Sequence, residues 1–269
     1  MVWESLSYRP HEAQQLVHSS RARHRVLDAG RRLGKSTIGG HELIPIALET
    51  AMMADLVLGI GRYYWIVGPN YDDCVKEWRV FWAAGEALKL PWDHPGTYDD
   101  RVNGNMRASL WGGKFVLECK SAQYPNSLDG EGLEGVILAE AAKLKPSIWG
   151  KYIRPALADK RGWSLWNSTP EGKNHFYEAW QRGQDPAFPD WESWRMPSWF
   201  NTRVFPGGEH DPEIVEMKRE MSSERYAQEI EARFTDFVGL VFKGFDEEIH
   251  VRDLRYDPKL PLYLSLIHI

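Results

Sequence analysis

Cysteine is scarce in this chain: Cys74 and Cys119 are the only two among 269 residues, too few and too far apart for a disulfide framework or a four-ligand zinc site. They read as buried thiols in a reducing compartment. An excess of positive charge is also missing. The formal net charge is -5, which excludes a surface that coats nucleic acid all round and makes any such contact a local one. Nor is there a long hydrophobic run, because the most apolar stretch, Leu43 to Ile60, is interrupted by Glu49 and Asp55. Glu4 and Arg9 sit where a secretory leader would need an apolar core. The chain is therefore expected to be soluble, without membrane association, and to stay where it is made. Internal repeats and low-complexity tracts are lacking as well.

What is present is an ordinary globular balance, 43% hydrophobic and 26% charged, with an unusual 13 Trp that supply large rigid surfaces for packing or stacking. From Arg25 to about Ser168, short apolar runs alternate with longer helical segments, the pattern of βα units and a mostly parallel sheet. Expected strands are Arg25 to Asp28, Tyr63 to Val67, Gly135 to Leu138 and Trp163 to Trp166. Arg107 to Trp111 and Lys114 to Cys119 flank Gly112-Gly113, the signal of a hairpin with a two-residue turn, so the sheet should be mixed. Past Gly172 the texture becomes aromatic and Pro-rich. Two helices then follow, one capped by Asp211 with Pro212 first and Ile214, Met217 and Met221 on one face, the next presenting Tyr226, Ile230 and Phe234. They read as a small subdomain whose boundary falls within Lys173 to Pro206.

The chemistry concentrates at three strand ends. Ala29-Gly30-Arg31-Arg32-Leu33-Gly34-Lys35-Ser36-Thr37 follows the first strand and opens a helix, the context of a Walker A loop. There, backbone N–H groups cradle phosphate, Lys35 neutralises β and γ oxygens, and the Ser36 hydroxyl binds Mg²⁺. The first glycine of the strict pattern is Ala29 here, with Gly30 one place later. Pro45 predicts a bend or stop in the helix that follows. Val136-Ile137-Leu138-Ala139-Glu140 places a carboxylate at a strand end, where it can orient water, while Ala139 stands at the position of a metal-associated Asp. A further strand runs into Asn167-Ser168-Thr169-Pro170, bringing small hydroxyls to the same edge.

Together these segments resemble the ATPase region of the large terminase subunit, a DNA-packaging motor of tailed phages, over almost the whole chain. Gly30 to Ser36 is similar to that family's arginine-bearing Walker A variant, Gly135 to Ala142 to its Walker B segment, and Gly162 to Phe176 to its coupling motif. Tyr8 to Gln14 resembles the segment that contacts adenine, with Gln14 as the base-reading glutamine. Val67 to Tyr71 is similar to the motif after the second strand, and Phe234 to Phe245 to the link out of the lid.

The resemblance implies an α/β P-loop NTPase of the ASCE type, a three-layer sandwich with a mostly parallel central sheet and a small helical lid. Residues 1–200 would be the ATPase core, 201–245 the lid and 246–269 a linker toward a nuclease domain. Its implied nucleotide-binding residues are Gln14, Gly30, Arg31, Arg32, Gly34, Lys35, Ser36 and Thr37. Glu140, Lys35 and Arg31 would be catalytic, with Arg31 supplying a cation in cis, because Ser127-Leu128-Asp129-Gly130 stands where some relatives carry a trans-acting arginine. Ser168 and Thr169 would couple hydrolysis to the lid, and Ser36 would be the metal ligand. ATP and Mg²⁺ are the implied cofactors. Double-stranded DNA, the portal protein of a procapsid, a small terminase subunit and further copies in a ring are the implied partners, in the host cytoplasm. No nuclease activity is expected. A nucleotide-binding assembly module slowed by Ala139, or a helicase-like translocase, is the alternative. Lys143, Lys145, Lys151 and Arg154 read as solvated charge.

Overall fold

The computed structural model describes residues 2–52 and 61–235. In chain order its elements are α1 (Val2–Ser5), α2 (Glu12–Ser19), β1 (His24–Ala29), α3 (Lys35–Ala51), β2 (Arg62–Gly68), α4 (Tyr71–Ala87), β3 (Tyr98–Asp100), β4 (Asn105–Leu110), β5 (Phe115–Ser121) and β6 (Gly135–Ala139). There follow α5 (Arg154–Ala156), β7 (Trp163–Ser168), α6 (His175–Arg182), β8 (Trp191–Met196), α7 (Pro212–Glu220) and α8 (Ser223–Glu229). The strands form one sheet in the order β3-β4-β5-β2-β6-β7-β1-β8. β5, β2, β6, β7, β1 and β8 are parallel, and β4 and β3 complete one edge antiparallel.

Strand alternation sorts the apolar residues into two layers around the sheet. Leu27, Ala29, Ile66, Ile137, Ala139 and Leu165 pack under α3 and α4 with Ile38, Leu43, Trp78 and Phe81. Val26, Trp65, Val67, Val136, Leu138 and Trp166 face the other side with Ile153 and Phe176. This is a three-layer α/β sandwich. Most of the tryptophans fill these layers, including a stacked Trp82 and Trp92 with centroids 4.7 Å apart. Among the described residues, no helix is long and apolar enough to cross a membrane.

All four expected parallel strands are present, extended by one or two residues at their ends. Four expectations are corrected. The hairpin is closed by four residues, not two, since Leu110 pairs with Phe115. Trp111, Gly112 and Gly113 all take positive φ (56°, 68° and 82°), and the Asp93 carboxylate holds that bend by accepting from the N–H groups of Gly112 (2.8 Å) and Gly113 (2.7 Å). Pro45 does not stop α3, which continues to Ala51. The aromatic stretch after Gly172 hides α6 and the edge strand β8, whose Trp191, Ser193 and Arg195 alternate with Glu192, Trp194 and Met196. Finally, Phe234 lies beyond α8 and packs on α6 against Tyr177 (4.8 Å) and Trp180 (5.5 Å), not in the helix pair.

The helix pair itself forms as read. Asp211 caps α7 by accepting from the Glu213 N–H at 3.1 Å. Ile214, Tyr226, Ile230 and Phe205 bury a small cluster with Trp199, Met217 and Met221 against it. The expected linker at 246–269, the strand-like Leu260 to Leu264 and the end of the lid beyond 235 lie outside the described residues.

Candidate functional site

β1 ends at Ala29, and the loop that follows is held from three directions. Gly30 N–H donates to Met196 O (2.9 Å) at the end of β8, and Arg31 N–H to Glu229 O (2.8 Å) in α8. Asn201 Nδ2 donates to Arg32 O at 2.7 Å, and the His11 ring contacts Leu33 O at 2.9 Å. Arg32 and Gly34 adopt left-handed backbone (φ 67° and 99°), which turns the chain so that α3 starts at Lys35 with no acidic residue in its first turn. The N–H groups of that turn have no intrahelical acceptor, and the helix end favours an anion. Gly30 is fixed by packing: a Cβ there would lie 2.4 Å from Ser198 Oγ and 2.5 Å from Ile230 O. A glycine is needed here for close approach of the α8 segment, one residue after the place where the strict pattern puts it.

Lys35 turns its ammonium back onto its own loop. Nζ donates to Ala29 O (2.9 Å), Gly30 O (3.2 Å) and Thr169 Oγ1 (3.0 Å). Burial brings its pKa down to about 8, against the opposing pull of Glu140, Asp28 and Glu77.

β7 separates β1 from β6, so its C-terminal residues lie between the loop and the acidic strand end. Ser168 accepts from the Ala142 N–H (3.1 Å) and donates to Thr169 O (2.8 Å). Asn174 Nδ2 donates to Ala142 O (2.8 Å), and the His175 ring meets Ala141 O (3.1 Å). The coupling segment thus clamps the turn after β6. Glu140, the first residue of that turn, has φ 50° and ψ 47°, a left-handed conformation that a non-glycine residue adopts only at a cost. Its carboxylate contacts Lys76 (3.4 Å) and Lys143 (3.6 Å). Burial alone would raise its pKa, but Lys35, Lys143 and Lys76 outweigh that and lower it, so it is ionised at neutral pH.

Around these groups lies a cleft of about 620 Å³ lined by Arg31, Arg32, Gly34, Lys35, Ser36 and Thr37 on one side. Lys76, Glu140, Lys143, Thr169, Gln228 and Glu229 face them. A larger cavity, about 1540 Å³, opens at the opposite edge of the sheet beside Arg25, Arg62 and Trp163, away from the loop. The smaller one has the chemistry: Arg31, Arg32, Lys35, Lys76 and Lys143 outnumber the carboxylates of Glu140, Glu171 and Glu229, which suits a polyanion, and its size suits a nucleotide.

Of the residues expected from sequence, Arg31, Arg32, Gly34, Lys35, Ser36, Thr37, Glu140 and Thr169 meet in this cleft. Gly30 and Ser168 support it from behind. Gln14 is buried at the start of α2 with Oε1 accepting from the His11 N–H at 3.1 Å; its Nε2 lies against Gly34. Arg31 points to Glu229 (Nε to Oε2 2.7 Å) while remaining 62% exposed. The sequence reading missed Lys76, Glu229 and, most of all, Glu77. Glu77 lies on the inner face of α4, fully enclosed; burial is the main cause that lifts its pKa to about 7, against the lowering pull of the Ser36 hydroxyl beside it. Its sequence signal was present, an acid at an inward position of an amphipathic helix, flanked by Cys74 and Trp78.

No protein-family model matches the chain. Among curated proteins, it is similar to the large terminase subunit of Thermus virus P23-45, 31% identical over 91% of this chain and 52% of that protein. It is also similar to the large terminase subunit of Escherichia phage T5, 27% identical over 87% of this chain and 49% of that protein. The chain spans about half the length of these relatives. Among solved structures, the large terminase ATPase domain of Thermus phage P74-26 superposes with a TM-score of 0.68 at 28% identity, covering 87% of this chain and 97% of that one. The HK97 bacteriophage large terminase shares the fold, with a TM-score of 0.59 at 12% identity over 83% of this chain and 50% of that one.

Proposed function

Because this chain is a homologue of phage large terminase subunits over their ATPase portion, we propose that it is the ATP-hydrolysing motor domain of such a subunit and that hydrolysis drives double-stranded DNA into a procapsid. The observation that carries this reading is the meeting of Lys35, Glu140 and Thr169 in one cationic cleft at the C-terminal ends of β1, β6 and β7. Ligands of open α/β sheets bind at that edge.

The N–H groups of the first turn of α3 and Lys35 Nζ bind the β and γ phosphates. Lys35 must then exchange loop carbonyls and Thr169 for phosphate oxygens, so Thr169 senses occupancy directly and Ser168 passes its position to the turn after β6. Glu140, ionised and oriented by its strained backbone, accepts a hydrogen bond from the attacking water. Arg31 turns from Glu229 toward the γ phosphate and stabilises developing charge in cis. The same movement breaks a contact with α8, so nucleotide chemistry reaches the lid through one side chain. Gln14 keeps Oε1 on His11 and offers Nε2 as a donor to an adenine nitrogen.

When bound with the nucleotide, Mg²⁺ would supply charge neutralisation for the phosphates. The residues present fit it: the Ser36 hydroxyl stands at the loop, and buried oxygens of Glu77 and Asn167 next to it lack hydrogen-bond partners. Among the described residues, there is no cluster of three His, Cys, Asp or Glu that could hold a metal unaided. Phosphate oxygens of the nucleotide would complete the ion's ligand set. The portal protein, the small subunit, a ring of copies around DNA and a host-cytoplasmic location are proposed from homology to the whole subunits.

Phosphate release measured for the parent chain, Lys35→Ala and Glu140→Gln tests the assignment. The expected result is a turnover in the parent that both substitutions reduce by about 100-fold or more. A parent rate equal to that of Lys35→Ala would instead favour a nucleotide-binding assembly module, the reading that Ala139 keeps open.

A further inference from the structure

Glu77 enters the scheme above only as a buried oxygen beside Ser36. It is 3% exposed, and its Oε2 has no hydrogen-bond partner. The Ser36 hydroxyl is near enough to oppose the upward pull of burial on the pKa of Glu77. Asn167, at the end of β7 and 1% exposed, donates from Nδ2 to Lys35 O (3.3 Å) and leaves Oδ1 buried and unpartnered. The two side chains converge over Gly39: a Cβ on that glycine would lie 2.8 Å from Glu77 Cγ and 3.0 Å from Asn167 Nδ2. Gly39 is thus the residue in α3 that lets α4 bring a carboxylate against the first turn after the loop.

Ala139 stands in register with Asn167 across β6 and β7. It is fully buried on the same face, in the cluster that holds Ile38, Trp78 and Ile137. A carboxylate at 139 would therefore project toward the space beneath Ser36 that Glu77 reaches from α4. An enclosed acid with one free oxygen is costly unless a cation or donor meets it.

We propose that Glu77 does from α4 what a carboxylate at position 139 would do from β6: it positions Ser36 and the water shell of the Mg²⁺ that accompanies the nucleotide. One oxygen accepts a hydrogen bond from the Ser36 hydroxyl, which turns the hydroxyl's lone pairs toward the ion. The free oxygen and Asn167 Oδ1 accept from water bound to it. Glu77 is then a positioning residue acting through Ser36, the kind of outer-shell group whose loss weakens metal affinity by about 10- to 100-fold. The inference rests on the ATPase reading, because the ion is the one that ATP brings.

The test uses Mn²⁺ as the probe, with ADP, and reads free Mn²⁺ by electron paramagnetic resonance. The variants are Glu77→Gln, Ala139→Asp and the two combined, with metal-free ADP affinity measured by calorimetry. Expected are a loss of about 10- to 100-fold in Mn²⁺ affinity of the ADP complex for Glu77→Gln, an unchanged metal-free ADP affinity, and recovery when Ala139→Asp is added. Glu77→Gln binding Mn²⁺ as tightly as the parent overturns the assignment, and so does failure of Ala139→Asp to restore binding. If the parent chain binds no ADP with or without metal, the ATPase reading fails first and takes this one with it. Should circular dichroism show Glu77→Gln unfolded, Asn167→Ala reads the same site: weakened Mn²⁺ binding supports the proposal, and parental binding refutes it.

Discussion

Replacing Glu42 by Gln should destabilise the chain through a network far from the cleft. Glu42, on α3, accepts from Arg25 Nη1 at 2.5 Å and lies 2.6 Å from His18 Nδ1, and the three side chains are only 13%, 6% and 7% exposed. His18 meets Tyr8 (3.0 Å) on its other nitrogen, so one carboxylate ties α2, α3 and β1 together. Removing it leaves the Arg25 guanidinium buried with the Val17 carbonyl (3.2 Å) and the face of Trp163 (5.5 Å). Losing one partner of a buried pair costs about 3 to 5 kcal/mol, and Gln, which still accepts a hydrogen bond, belongs near about 3 kcal/mol. In a domain of this size that lowers the melting temperature by about 6–12 °C. Burial would raise the Glu42 pKa, but the His18 hydrogen bond and the Arg25 charge outweigh it, and the net shift is downward. A carboxylate depressed in the folded state contributes stability above its unfolded pKa and loses it as pH falls through the folded value. The gap between parent and variant should therefore be full at pH 7 and close on acidification below the ordinary glutamate range. Scanning calorimetry at pH 7 and in steps toward pH 3 checks both points. A variant melting within about 1 °C of the parent at pH 7, or a gap that does not shrink in acid, refutes the reasoning. Replacing the pair together, Arg25→Met with Glu42→Leu, should melt closer to the parent than Glu42→Gln does.

Other outcomes follow from the cleft and its supports. Gly30→Ala forces a Cβ into Ser198 and the Ile230 carbonyl, so it should cost about 1–3 kcal/mol and weaken nucleotide binding, seen by thermal melting and ADP calorimetry. Glu229→Gln removes the ion pair of Arg31; if Arg31 works in cis, hydrolysis in this variant should still fall to the Arg31→Ala level when Arg31 is also replaced. Equal rates for parent and Arg31→Ala would remove Arg31 from the mechanism. Cys74 and Cys119 are buried, and burial pushes the Cys119 thiol well up, so neither should react with a thiol reagent until the chain is denatured.

The parallel strands were legible because each is a short aliphatic or aromatic run bounded by turn residues, and the loop because Gly34-Lys35-Ser36 sits between a strand and a helix. β8 was not. Its alternation of Trp, Ser and Arg with Glu, Trp and Met carries no simple apolar pattern, since at the sheet edge Arg195 serves both Asp28 (3.4 Å) and the ring of Trp180 (4.7 Å). The hairpin turn was misjudged because Asp93, far off in sequence, sets its length. At the site, residue types gave the donors and the acid, but not their neighbours: that Lys76 and Lys143 flank Glu140, or that Glu77 lies under Ser36, depends on how α4 crosses α3 at Gly39 and Gly40.

The place of β1 in the sheet bears on how the chain comes off the ribosome. His24 pairs with Ser164 on one side and Trp191 on the other, and the loop after β1 is fastened to Met196 and Glu229. During synthesis the nucleotide site thus stays without walls until most of the protein has emerged. Such distant pairings close slowly, and until then the nascent β1 presents two bare edges. A nucleotide added to stalled chains should protect from protease only those whose emerged portion already includes α8.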